Sequence, residues 1–372
     1  MKVVKVRSPF IIDVPSQGST HTGSKIILSI WNKGTSEPTN SLQAGYYELT
    51  KSIPSTTQRA TYYNVSNYVR EFIDNIKPTK IVSSPSYEDN NEWVNFRVKK
   101  SWYNGTTYTE ISNVLYVGVN GFTTYTQGLN AIQDYFTTGF LSNKLISKNI
   151  IKSSSSLKNY VNWLGEFTTG YYVNIAYINL TNTYSFTTTV GSLNGIYNFK
   201  IPLTLHPTNV NFEDGCQLVV NFYNASSVLI GSDSFLVYSN EECKYTPVEC
   251  TFINRYGGWE FLTFFKQQTN TVSVKGTDYK LMPSAINYNT SKGQVKSFNI
   301  NGTQTVKLNT GFVDENYSEL ITDLLLSETV LLDAKPVTVK TQGSDLKTSL
   351  KDKLINYEID FEYAYNLIND VV

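Results

Sequence analysis

Apolar and polar residues alternate with the period of a strand at several places along the chain. The longest such stretch lies near the end. There Ile355, Tyr357, Ile359, Phe361, Tyr363 and Tyr365 take odd positions, and Asn356, Glu358, Asp360, Glu362 and Asn366 take even ones, which predicts a long half-buried strand. Over 93–99, Val94, Phe96 and Val98 alternate with Asn95, Arg97 and Lys99, and a turn at Asn104-Gly105 leads to a partner over 114–119. Over 217–223, Leu218, Val220 and Phe222 alternate with Gln217, Val219, Asn221 and Tyr223, apolar enough to predict burial on both faces. A turn at 224–227, a return strand at 228–230 and a separate strand at 234–238 follow. Further strands are predicted over 25–31, 46–53, 171–180, 184–190 and 337–339.

Helical spacing is rarer. Tyr68, Val69, Phe72, Ile73 and Ile76 share a face behind Ser66 as a cap, ending at Pro78. Leu129, Ile132, Tyr135 and Phe136 predict a second short helix over 125–137, ending at Gly139. The strongest pattern is 314–327, where Asp314 caps and Tyr317, Leu320, Ile321, Leu324 and Leu325 line one face. Between 250 and 266, two aromatic runs flank Asn254-Arg255-Tyr256-Gly257-Gly258. Paired glycines supply the positive φ of a tight reversal, so Phe252, Asn254, Gly257, Gly258 and Trp259 are read as a core hairpin.

These elements predict a mainly β protein of two or three immunoglobulin-like β-sandwich domains with a few short packing helices. Boundaries are expected at 1–148, 149–245 and 246–372, the polar run 152–156 serving as linker. Composition agrees: of 372 residues 14% are aromatic, with 27 Tyr and 19 Phe, against 17% charged. Lys plus Arg equals Asp plus Glu at 31 each, so no net field draws the chain to nucleic acid or to an anionic membrane. The first residues carry no export signal and no apolar run long enough to span a membrane. Three cysteines are too few for a disulfide scaffold. Without an export signal, the seven Asn-x-Ser/Thr sequons are read as chance products of an Asn/Ser/Thr-rich chain.

Catalytic constellations are missing from the sequence. His21 and His206 sit in turn-like and strand-end contexts and are read as loop or surface residues. Cys243 and Cys250 lack a zinc spacing, and neither Glu88, Asp89 and Glu92 nor Glu213 and Asp214 repeat the ligand spacing of a calcium loop. No cofactor and no metal is expected. Trp102 and Tyr103 are the exposed aromatics best placed to stack on a sugar. On the C-terminal strand, Glu358, Asp360 and Glu362 need cations or water opposite, with Lys340, Lys347, Lys351 and Lys353 just upstream. The polar face is then either solvated beside a lysine-rich neighbour or part of an edge strand meeting another subunit. Ile355, Tyr357, Glu358, Asp360, Glu362, Tyr363 and Tyr365 are the interface candidates.

The hairpin 252–260, the helix 313–327 and the closing 357–363 together resemble structural virion proteins of tailed phages infecting Bacteroidota, nearest to the tail-barrel ring or collar proteins of crAss-like podoviruses. The resemblance covers the last third of the chain and rests on packing motifs, so it transfers no active site. It implies a non-enzymatic virion protein of the tail or neck, assembled in the host cytoplasm into a cyclic homo-oligomer and contacting other tail and neck proteins. A receptor- or carbohydrate-binding tail module is the alternative, and a glycoside hydrolase a third reading.

Overall fold

A computed structural model describes residues 2–32, 34–54, 57, 60–74, 86–87, 92–130, 132–134, 138–140, 148–151, 160–178, 183–189, 195–202, 216–240, 244–281, 286, 289–343 and 354–369. The architecture is mainly β, with several sheets and two short α-helices among the described residues. Two compact units form: Met1–Glu241 with Phe252–Phe261, and Glu242–Thr251 with Leu262–Val372.

The first part of the first unit runs β1 (Lys2–Lys5), β2 (Ile11–Val14), β3 (Gly23–Trp31), β4 (Tyr46–Ser52), β5 (Thr61–Asn64), α1 (Ser66–Arg70), β6 (Ser86–Tyr87), β7 (Trp93–Tyr103), β8 (Tyr108–Val119), β9 (Ile132–Asp134), β10 (Thr138–Phe140) and β11 (Lys148–Ile151). A six-stranded sheet has the order β4-β3-β7-β8-β1-β9. Its inward residues follow the alternation: Val94, Phe96 and Val98 of β7 are buried with Ile26, Leu28 and Ile30 of β3. The turn at Asn104-Gly105 forms as expected, Gly105 taking φ 94° and the Asn104 side-chain oxygen accepting the Thr106 and Thr107 amides at 2.9 and 2.8 Å.

Of the two helices expected here the first forms, shorter than expected, and the second does not; Ile76 and Pro78 lie outside the described residues. α1 has five residues and starts behind Val65, with no side-chain cap from Ser66. The chain then tightens into i to i+3 bonds from the Phe72 and Ile73 amides, which end the helix early. Over 125–137 only one 3₁₀ turn forms, at Tyr125–Gln127. Gly128 and Asn130 take φ of 78° and 56°, which no helix continues through, and Ile132–Asp134 pairs antiparallel with β1 instead. Leu129 is exposed, and Tyr135 and Phe136 lie outside the described residues.

The chain continues through β12 (Tyr160–Phe167), β13 (Tyr172–Ile178), β14 (Thr183–Thr189), β15 (Gly195–Pro202), β16 (Cys216–Tyr223) and β17 (Leu229–Asn240). A four-stranded sheet, β10-β12-β15-β6, and a five-stranded sheet, β11-β17-β16-β13-β14, share one core as a β-sandwich. Trp163 packs on Phe222 with ring centres 3.8 Å apart, and Phe167, Phe199 and Tyr177 fill around them. Leu218, Val220 and Phe222 are fully buried but their alternates are only half-buried, so β16 faces one core and not two. β17 is a single strand where two were expected. The expected boundary at 148/149 is crossed by strand pairing, since β6, β10 and β11 join β15, β12 and β17. The proposed linker 152–156 lies outside the described residues.

Last come β18 (Val248–Ile253), β19 (Trp259–Phe264), β20 (Thr269–Lys280), β21 (Val295–Asp314), α2 (Tyr317–Leu325), β22 (Val330–Leu332), β23 (Lys335–Val339) and β24 (Leu354–Tyr363). They form a seven-stranded sheet ordered β19-β18-β22-β23-β24-β21-β20. α2 buries Tyr317, Leu320, Ile321 and Leu324 as its spacing requires. Asn316, not Asp314, occupies its N-cap position, because β21 runs through Asp314 in register with Leu354. The boundary expected at 245/246 is also redrawn, since 252–261 belongs to the first unit and its flanks to the second.

Candidate functional site

The predicted core hairpin is a packing site. Asn254 is fully buried and organises the turn: its side-chain oxygen accepts the Tyr256 and Gly258 amides at 3.0 and 3.1 Å, and its Nδ2 donates to Glu260 Oε2 at 3.1 Å. Gly257 takes φ 85°, and a Cβ there would lie 2.9 Å from the Gly121 nitrogen and from the Val119 Cβ. Phe252 and Trp259 are buried, as the composition of the two aromatic runs predicts. The Gly121 region returns the contact, the Phe122 amide donating to the Arg255 carbonyl at 3.0 Å.

Of the interface candidates on β24, Ile355 and Tyr357 are buried in the protein's own core with Ile359 and Phe361. The strand lies between β23 and β21, so its backbone is already paired on both sides and the edge-strand expectation is corrected. The polar face follows the solvated reading. Glu358 meets Lys307 at 2.7 Å and Glu362 meets Lys340 at 2.8 Å. The hydrogen bond and charge of Lys307 hold the Glu358 carboxyl below its ordinary value. Asp360 is anchored through its amide, which donates to Thr341 Oγ1 at 2.8 Å, and the rings of Tyr363 and Tyr365 are 5.4 Å apart. Lys347, Lys351 and Lys353 lie outside the described residues.

Trp102 is half-buried, edge-on to His21 with centres 5.8 Å apart, and Tyr103 packs on Tyr108 at 4.6 Å while donating its hydroxyl to the Gly105 carbonyl. Neither ring is the open platform the sugar reading needs. His21 lies in a loop but is buried, its Nδ1 accepting the Gln17 amide at 3.2 Å. Cys250 is buried; desolvation, then Glu249 and Asp333, push its thiol well above the ordinary value. Glu92 forms an ion pair with Lys200, whereas Glu88, Asp89, His206, Glu213, Asp214 and Cys243 lie outside the described residues. Among the described residues no group of His, Cys, Asp and Glu is placed to hold a metal ion, and no helix is long and apolar enough to cross a membrane.

The feature that sequence reasoning missed is an arm. β24 accompanies β21 only from Thr305 to Asp314, so residues 295–304 pair with β20 alone. At a strand rise of 3.3 Å per residue this ribbon extends roughly 30 Å beyond the last β24 pairing. All of β20 is exposed, and so is β21 from Val295 to Ile300. Val272, Val274, Tyr279, Val295, Phe298 and Ile300 are each between 41% and 64% exposed, and Tyr279 meets Phe298 edge-on at 5.5 Å. The base is braced: the Leu367 amide donates to the Gly302 carbonyl at 2.8 Å, and the Asn301 side chain exchanges two hydrogen bonds with the Ile368 backbone. β20 ends the sheet, which leaves one row of its backbone groups without a strand partner among the described residues.

No family model and no curated protein matches the sequence. Among solved structures, the chain is similar over 55% of its length to an Amycolatopsis orientalis exo-chitosanase in complex with PNP-beta-D-glucosamine, at 11% identity and a TM-score of 0.18. The match spans 22% of that enzyme. The chicken interferon gamma receptor alpha chain is similar over 63% of this chain and 96% of its own, at 9% identity and a TM-score of 0.17. At these scores neither likeness carries an argument.

Proposed function

We propose that this chain is a non-catalytic, ring-forming structural subunit of a tailed-phage virion, and that it assembles with copies of itself through the arm formed by β20 and the distal half of β21. The observation that carries the reading is the arm itself. A two-stranded ribbon with both faces in water is marginal on its own, and six large apolar side chains on it are uncovered. A neighbour that adds a strand along β20 satisfies the open backbone row, and the body carrying that strand packs on the exposed faces.

The occupant is a second copy. With 31 basic and 31 acidic residues, copies do not repel one another at neutral pH. The same chain also offers strands at sheet ends, β4 and β14, as acceptors. Contacts between unlike surfaces, arm to sheet end, close into a ring when the rotation allows. The virion setting, with other tail and neck proteins as further partners, rests on the resemblance of 252–260, 313–327 and 357–363. Within this reading β20 takes the interface role first given to β24.

Sedimentation velocity over a concentration series tests it, comparing the parent with a Val274→Lys/Phe298→Lys double variant. The parent is expected to form one discrete oligomer. The variant is expected to stay monomeric with an unchanged melting temperature, since both positions are exposed in the monomer. Equal oligomerisation of the two proteins, or a monomeric parent at every concentration, overturns the proposal.

A further inference from the structure

The first unit buries a polar cluster that assembly does not use. On β12 and β15 the odd-numbered residues, Val161, Trp163, Tyr197, Phe199 and Ile201, fill the sandwich core. On the opposite face Asn162 and Lys200, both fully buried, stand directly across from each other in antiparallel register. Glu92, also buried, accepts from Lys200 Nζ at 3.0 Å with one carboxylate oxygen and from the Asn198 amide at 2.6 Å with the other. Lys200 Nζ lies 5.2 Å from the centre of the Tyr160 ring. Asn162 Nδ2 donates to the Trp259 carbonyl at 3.0 Å, and its Oδ1 has no hydrogen-bond partner among the described residues. Burying an ammonium, a carboxylate and two amides costs more than filling the same space with apolar groups. An amine in contact with a carboxyl, and a buried amide directly across the strand pair from that amine, are also the parts needed for amide exchange.

We propose that Lys200 and Asn162 join through an intramolecular isopeptide bond, with Glu92 moving the protons. Glu92 takes a proton from Lys200, freeing the amine, whose nitrogen attacks Asn162 Cγ. The Glu92 acid then supplies the proton that lets the side-chain nitrogen leave as ammonia and takes up the second proton that Nζ gives off, so that the carboxyl ends protonated. One C–N bond forms between Nζ and Cγ, the Cγ–Nδ2 bond breaks, and one molecule of ammonia departs; no oxidant or reductant is involved. Reach selects Asn162 over Asn198. Residues opposed across antiparallel strands have Cβ atoms about 5 Å apart, comfortably within a lysine stem. Residues two apart on one strand are almost 7 Å apart and would hold that stem at full stretch. Asn198 is then a positioning residue that fixes the second oxygen of Glu92. The link staples β12 to β15 at the face that receives Trp259.

The test is the intact mass of the purified full-length protein. One ammonia less than the sequence mass is expected, together with a branched peptide joining residues 160–167 to 195–202 after proteolysis. Glu92→Gln, which keeps the shape of the side chain, and Lys200→Arg, which keeps the positive charge, are each expected to return the full sequence mass. A parent at full sequence mass after prolonged incubation in the folded state overturns the proposal. So does an ammonia loss confined to a linear peptide, as a succinimide would give, or a branch at Asn198. The parent's mass decides the matter even where a variant fails to fold.

Discussion

Replacing Asn254 with alanine removes the residue that holds the hairpin turn from inside. Three hydrogen bonds go with it: two accepted from the Tyr256 and Gly258 amides, and one donated to Glu260. The Gly258 amide is buried, and stranding such a donor costs about 1–3 kcal/mol; the half-buried Tyr256 amide adds about 1, and the bond to the Glu260 carboxylate about 1.5–3. Allowing for relaxation around the smaller side chain, the loss is about 3–5 kcal/mol. In a unit of this size each kcal/mol moves the midpoint by about 2–4 °C, so the transition of the first unit should fall by about 10 °C. Thermal unfolding followed by intrinsic tryptophan fluorescence reads this directly, because Trp93, Trp163 and Trp259 are all buried in that unit. Asn254→Asp keeps the acceptor but sets a second carboxylate against Glu260. Its deficit should shrink as acid neutralises one of the pair, whereas that of the alanine variant should not. An alanine variant melting within about 2 °C of the parent would refute the reasoning, since the turn would then hold without its internal acceptor.

Gly257→Ala should destabilise the same hairpin by about 1–3 kcal/mol from its left-handed backbone alone, and by more through the clash with Val119 and Gly121; an unchanged denaturation midpoint would contradict the close approach. Cys250 should resist iodoacetamide in the native protein and react only on unfolding, as peptide mapping would show, because burial keeps its thiol protonated; native labelling would contradict that placement. Glu358 should titrate below an ordinary glutamate by NMR and return to the usual range in Lys307→Met. Its pair is fully formed above the unfolded-state carboxylate value and is lost as pH falls through the depressed folded value; a Glu358 titration unaltered by the substitution would contradict the assignment.

Where a residue's face decides its fate, the sequence was readable. Val94, Phe96 and Val98, and Ile355 through Phe361, alternate because successive Cβ atoms in a strand point to opposite sides, and only one side meets the core. α2 was legible for the same reason at a period of 3.6. The helix expected over 125–137 failed because Leu129 and Ile132 match helical spacing by accident. Gly128 and the Thr-rich approach to it were the available signal, one that sets backbone conformation and not side-chain period. β24 was legible as a strand but not as an interior one, since pairing order is a property of backbone hydrogen bonds and leaves no mark on alternation. The arm was invisible for the same reason: that residues 295–304 pair with β20 beyond the end of β24 is again a matter of backbone hydrogen bonds and not of side-chain pattern. The cluster of Glu92, Asn162 and Lys200 joins residues from distant parts of the chain, and only the fold brings them together.

Hydrogen exchange on the assembled protein, compared with dilute protein under the same conditions, tests the central claim most directly. Amides of 272–280 and 295–300 should exchange quickly in the monomer and become strongly protected as the oligomer forms, while β24 stays protected throughout. An oligomer in which the arm still exchanges as fast as in the monomer would contradict the account and place the interface elsewhere.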